Sequence, residues 1–153
     1  MTTVHLTLNG EPRTADVDPR LLLVEAIRDV FGATGPKLGC GTGDCGACTV
    51  RRNGSVIKSC LELAVANDGA DIVTIEGLAV GGTLSALQQA FWDAYAFQCG
   101  FCLSGMLFAA DDLLANNPAP SEAEIRGAIA GNLCRCTGYE NIVVAIRAAS
   151  EAT

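Results

Sequence analysis

The chain has 153 residues, a formal net charge of −7 and a pI near 4.5, and 50% of its residues are hydrophobic. An acidic chain without a Lys/Arg cluster lacks the electrostatic footprint of a nucleic-acid binder and the basic face that anionic membranes attract. A mean hydropathy of +0.33 is apolar for so short a chain and points to surface buried against a partner, yet the longest apolar runs, such as residues 21–24, are far too short to span a membrane.

The N-terminal MTTVHLTLNG has neither a basic segment followed by an apolar stretch nor a twin arginine, so the expected location is cytoplasmic. Val4, Leu6 and Leu8 alternate with His5, Thr7 and Asn9, the period of a half-buried strand. Asn9-Gly10 predicts a two-residue hairpin turn, with a second strand at about 13–17 pairing back. Asp18-Pro19 reads as an N-cap and a first-turn proline, opening a helix of about three turns through Leu21, Leu22, Val24, Ala26 and Ile27. Residues 31–46, FGATGPKLGCGTGDCG, are irregular. Strands at 48–52 and 55–60 flank Asn53-Gly54, and a last strand is expected at 72–75.

GLAVGG at 77–82 reads as a linker, dividing a β-rich domain, 1–77, from a helical domain, 78–153. In the second half Leu84, Leu87 and Phe91 share a helical face. A second helix covers 101–115 and stops before Pro118. Ser121 and Glu124 form a capping box for a third, ending at Gly131, and a fourth runs over 139–150.

Eight cysteines fall into two sets of four with different spacings. In a reducing compartment such thiols read as ligands rather than as disulfides. Cys40, Cys45 and Cys48, followed by Cys60, have the C-x4-C-x2-C…C spacing of a plant-type 2Fe–2S ferredoxin. A loop gripping so small a cluster must curl tightly, and Gly39, Gly41, Gly43 and Gly46 permit that while letting amides approach the sulfurs. Residues 41–46 also match G-x-G-x-x-G, but a strand follows instead of a helix, so no dinucleotide is expected there. In the second set Cys99 and Cys102, placed at i and i+3 near a helix start, are joined by Cys134 and Cys136 in a turn between helices. On donor chemistry alone, structural zinc remains open for either set.

His5, the one histidine, is expected on the solvent side of its strand. Trp92 and Tyr95 are expected to pack in the helical half or at an interface. Asp111-Asp112 reads as a solvated face, and Arg135 as a surface residue or a neutraliser of cluster charge.

GCGTGDCGACTV at 39–50, QCGFC at 98–102 and GNLCRCTGY at 131–139 resemble the small iron–sulfur subunit of the molybdenum hydroxylases, the family of xanthine, aldehyde and carbon monoxide dehydrogenases. The resemblance covers nearly the whole chain. It implies an α+β fold, a β-grasp ferredoxin domain followed by a four-helix domain, with one 2Fe–2S cluster in each. Cys40, Cys45, Cys48 and Cys60 then hold a cluster toward FAD on a medium subunit. Cys99, Cys102, Cys134 and Cys136 hold the other, beside the molybdopterin of a large subunit. Gln98 matches a glutamine that hydrogen-bonds the pterin, and Cys136 the ligand facing the pterin amino group. Thr42, Asp44 and Glu140 depart from common family residues at positions that are not ligands. The implied role is electron relay within a hetero-oligomer, such as a dimer of heterotrimers, by a subunit of an oxidoreductase with no substrate site of its own. A free-standing ferredoxin and a zinc-stabilised interaction module are the alternatives.

Overall fold

The computed structural model describes residues 1–152; Thr153, the last residue of the expected second domain, lies outside the described residues. Strands β1 (Thr2–Leu8), β2 (Glu11–Val17), β3 (Thr49–Arg52), β4 (Ser55–Lys58) and β5 (Asp71–Val73) form one sheet in the order β2-β1-β5-β3-β4. β1 pairs antiparallel with β2, from Thr2↔Val17 to Leu8↔Glu11, and parallel with β5. β3 pairs antiparallel with both β4 and β5. Both expected Asn-Gly turns form, with positive φ at Asn9 and Gly10 and at Asn53 and Gly54, the geometry that matches strand twist. Asn9 also fixes the end of the sheet: its Nδ2 donates to Thr74 Oγ1 at 2.9 Å, and its Oδ1 accepts from Thr74 N at 2.8 Å.

The alternating residues of β1 behave as expected. Val4, Leu6 and Leu8 are buried and pack with Val17, Ile27 and Ile72 under a short helix, α1 (Leu23–Glu25), that continues as a wider turn over Ala26–Val30. That helix starts later than the Asp18-Pro19 signal indicates. Asp18 instead accepts from Arg20 N at 2.9 Å in a local turn. Leu22 is extended and bridges Leu63, with Leu23 N donating to Glu62 O and Ala64 N to Leu21 O, both at 2.8 Å. This tertiary pairing overrides the local capping signal. Two expected strand ends also differ. Cys48 precedes β3, and Cys60 sits in a tight helical turn, Ser59–Leu61, beyond β4.

After the stretch at 78–85 the chain forms α2 (Ala86–Asp93), α3 (Leu103–Asn116), α4 (Glu122–Ile129) and α5 (Glu140–Glu151). Ser85 and Gln88 cap α2 reciprocally, and Ser121 and Glu124 cap α4. Phe91, Met106, Leu107, Ile125, Ile142 and Ile146 make a second core. No helix among the described residues is long and apolar enough to cross a membrane. Trp92 and Tyr95, expected to pack in the helical half or at an interface, are 62% and 80% exposed, and the Trp92 ring lies 6.1 Å from that of Phe97.

The sheet and the helices meet along a polar seam. Arg51 on β3 pairs with Asp111 on α3 at 2.5 Å, and its guanidinium lies 5.5 Å from the centre of the buried Phe108 ring. Asp111, its side chain 40% exposed, is thus ion-paired as well as partly solvated, while Asp112 is exposed as expected. Lys58 Nζ donates to Gly131 O at 3.2 Å, and Leu133 N donates to Cys45 O at 2.8 Å.

Gly105, in the first turn of α3, lies so close to the loop before β3 that a Cβ there would strike the Gly46 carbonyl oxygen and come within 2.7 Å of Asn132 Oδ1. Gly105→Ala is expected to cost about 1–3 kcal/mol and to lower Tm by several degrees in a thermal melt. Gly127→Ala on α4, where a Cβ meets nothing within 4 Å, should leave Tm level or raise it. Equal Tm values for both variants would contradict the close approach.

Candidate metal centres

All eight cysteines are free thiols, and the fold gathers them into the two expected sets. In the first, Cys40, Cys45 and Cys48 lie on the irregular loop entering β3, and Cys60 closes the group from the turn after β4. Gly41, Gly43 and Gly46 all have positive φ and let this loop double back on itself. Cys40 and Cys45 are mutual partners, each amide donating to the other's Sγ at 3.4 Å, and Thr42 N donates to Cys40 Sγ at 3.3 Å. Cys48 and Cys60 form a second pair, both buried beside Val24 and half-buried Leu22. Ser59 secures that pair by donating its hydroxyl to Cys48 O at 2.5 Å. The G-x-G-x-x-G match leads into β3, so no helix follows it to receive a pyrophosphate.

The second set is built at the helical side of the seam. Cys102 occupies the N-cap of α3 and Cys99 lies in the turn before it, around Gly100, so both stand near the helix start as expected. Cys134 and Cys136 come from the segment between α4 and α5. Cys99 Sγ and Cys136 Sγ are 3.6 Å apart, and Cys102 and Cys134 interact as the other pair. Thr137 donates to Cys134 Sγ from its hydroxyl at 3.1 Å and from its amide at 3.4 Å. Cys134 N in turn donates to the Tyr139 hydroxyl at 2.9 Å. Gln98 Nε2 donates to Cys136 O at 3.1 Å, so the glutamine and this exposed cysteine share one exposed corner.

Electrostatics separates buried thiols from exposed ones. Cys40 is drawn down to about 6 by the Thr42 hydroxyl and the Cys45 and Thr42 amides. The Thr42 hydroxyl also reaches Asp44 at 2.6 Å; its one proton serves one acceptor at a time, so the amides are the constant donors. Burial, reinforced by Cys48, pushes Cys60 up to about 11. Burial, reinforced by Cys134, pushes Cys102 up to about 12. Burial opposes ionisation of Cys134 too, yet the Thr137 hydroxyl and amide bring it below the ordinary thiol range. Thiolates in such surroundings need a cation to replace the proton.

Tetrahedral metal–thiolate bonds of about 2.3 Å set sulfurs on one metal about 3.8 Å apart, close to the Cys99–Cys136 spacing of 3.6 Å. Among the described residues no three His, Cys, Asp or Glu side chains are grouped to hold a single ion. Thiols arranged as two pairs per site, with amide and hydroxyl donors aimed at sulfur, fit a two-iron cluster with two thiolates on each iron.

Thr137, Tyr139, Asn132 and the Arg51–Asp111 pair were not singled out by their sequence positions. Thr137 and Tyr139 lie inside GNLCRCTGY, yet only the fold shows one bonding Cys134 sulfur and the other its amide. His5 is exposed, with Nδ1 3.4 Å from Asp68 and far in sequence from every cysteine. Arg135 is exposed.

Residues 6–73 match the model of a 2Fe-2S iron-sulfur cluster binding domain, and residues 74–147 match a second 2Fe-2S binding domain. The nicotinate dehydrogenase small FeS subunit of Eubacterium barkeri is 48% identical over 149 residues, covering 97% of this chain and 95% of that protein. The crystal structure of quinoline 2-oxidoreductase from Pseudomonas putida 86 superposes with a TM-score of 0.95 at 50% identity, over 99% of this chain and 94% of that one. Aldehyde oxidoreductase from Desulfovibrio desulfuricans gives a TM-score of 0.92 at 39% identity; 99% of this chain matches 17% of that longer one.

Tyr139→Phe is expected to leave the half-buried Cys134 amide without its acceptor, a loss of about 1–3 kcal/mol. Hydrogen exchange at that amide should quicken in the variant. Unchanged exchange would contradict the Tyr139 contact.

Proposed function

This chain belongs to the small iron–sulfur subunits of the molybdenum hydroxylases, and on that premise we propose that it is the electron relay between a molybdopterin-binding subunit and an FAD-binding subunit. When bound, the two 2Fe–2S clusters supply reversible one-electron chemistry that carries a substrate's two electrons away singly.

The chain's residues divide that work. Cys40 with Cys45, and Cys48 with Cys60, would hold the first cluster as two pairs of thiolates. Cys99 with Cys136, and Cys102 with Cys134, serve the second centre in the same way. Exposed Gln98 and Cys136 make the corner that meets the molybdopterin of a large subunit, while exposed Cys40 faces the flavin side. The sheet order supports a β-grasp ferredoxin unit over 1–77, and α2–α5 a helical unit from 78 onward. Amide and hydroxyl donors to sulfur stabilise negative charge and raise the potential of the centre they surround. Substrate binding and hydroxylation belong to the large subunit, in a hetero-oligomeric complex. A reducing cytoplasm keeps all eight thiols available as ligands.

One observation carries the relay reading above the others: Cys45 O, in the first set, accepts from Leu133 N, whose residue adjoins Cys134 of the second, at 2.8 Å. Ligand-bearing segments of the two centres are thus joined by a single backbone hydrogen bond.

Cys136→Ser in the purified complex tests the assignment. It should abolish the EPR signal of the helical centre and slow flavin reduction by substrate, leaving the other signal in place. Loss of both signals, or of neither, would contradict the division of ligands.

A further inference from the structure

Asn132 is buried, 3% exposed, and its Oδ1 has no N–H or O–H partner. A buried amide oxygen left in this way is unfavourable unless something else meets it, and two glycines do. The place where a Cβ would stand on Gly46 runs straight into Asn132 Oδ1, and the same place on Gly105 is 2.7 Å from that oxygen. In glycine that direction is occupied by a Cα–H bond. Asn132 Oδ1 therefore lies against the Cα–H faces of both glycines, an approach of the kind that weak Cα–H···O contacts accompany where backbones pack closely. Gly46 itself is held, its carbonyl accepting from Thr49 N at 3.1 Å and from Thr49 Oγ1 at 2.6 Å.

The positions of these three residues give the contact its meaning. Gly46 lies between Cys45 and Cys48. Gly105 lies one turn after Cys102. Asn132 lies two residues before Cys134, between Gly131, which accepts from Lys58, and Leu133, which donates to Cys45. One amide oxygen thus touches segments that carry ligands of both sets.

We propose that Asn132 is a positioning residue that fixes the separation and relative orientation of the two cysteine sets by seating its amide oxygen between Gly46 and Gly105. The inference rests on the two-centre reading above and concerns this side chain alone. With the oxygen removed, the loop at 45–48 and the segment at 131–134 lose their common reference, while every thiol remains.

The test is the purified complex carrying Asn132→Ala, with Asn132→Ser as a second variant that keeps a smaller polar side chain and serves if the alanine variant does not accumulate. EPR of the fully reduced protein reads the magnetic interaction between the two centres. Hydrogen exchange reads the Leu133 amide, whose bond to Cys45 reports the seam. Ile146→Val, in the helical core away from the seam, controls for simple loss of stability. The expected result is a full iron complement with an altered inter-centre interaction and several-fold faster Leu133 exchange in the Asn132 variant, neither of which appears in Ile146→Val. Wild-type interaction and exchange in the Asn132 variant, even with a lowered Tm, would overturn the positioning role. The same changes in Ile146→Val would also overturn it, because they would then follow stability and not this contact. Absence of two EPR signals in the wild-type complex would instead overturn the two-centre reading, and this inference with it.

Discussion

The segment at 131–133 lies in the seam between the two halves of the protein and ties the loop that carries Cys45 to the segment that carries Cys134. Gly131 O is held by Lys58, Asn132 is buried against Gly46 and Gly105, and Leu133 N is bonded to Cys45 O. A side chain larger than hydrogen at either glycine would force these backbones apart. The Arg51–Asp111 pair, with Arg51 over the Phe108 ring, joins β3 to α3 across the same interface. Two small cores that could rock against each other are thereby locked at the places where thiols leave the backbone. A relay of one-electron carriers needs this rigidity, because electron exchange depends on distances that a mobile linker would let drift.

Within each set the protein grades its sulfurs. Cys48, Cys60 and Cys102 are buried, while Cys40, Cys99 and Cys136 reach the surface. Burial raises Cys60 and Cys102, whereas amides and a hydroxyl lower Cys40 and Cys134. The same donors that favour thiolate also favour added negative charge on a bound cluster. With a cluster held by these cysteines, the donors at Thr42, Cys45 and Thr137 would both steady the ligand sulfurs and raise the potential, through atoms that bind no metal themselves.

Much of this was written in local sequence. The alternation of Val4, Leu6 and Leu8, the two Asn-Gly turns and the capping box at Ser121 are short-range patterns, and the structure realises them where they occur. The grouping of the eight cysteines followed from spacing. What spacing could not convey was which thiols pair, because Cys99 meets Cys136 across 37 residues. Nor could it convey the seam, whose contacts join Arg51 to Asp111 and Lys58 to Gly131 across 60 and 73 residues. Gly105 looks like an ordinary flaw in a helix until the Gly46 carbonyl is seen beside it. The start of α1 departs from local sequence for a related reason: Asp18-Pro19 is a sound local signal, but the Leu22–Leu63 bridge holds the chain extended past it.

The measurement that bears most directly on the account is the metal and sulfide content of the purified chain in its complex, read with Mössbauer spectroscopy. Two tetrads of thiolates holding 2Fe–2S clusters require about four irons and about four acid-labile sulfides per chain, all iron in antiferromagnetically coupled pairs. One or two zinc ions per chain with no labile sulfide, in a complex that still turns over at its full rate, would contradict it.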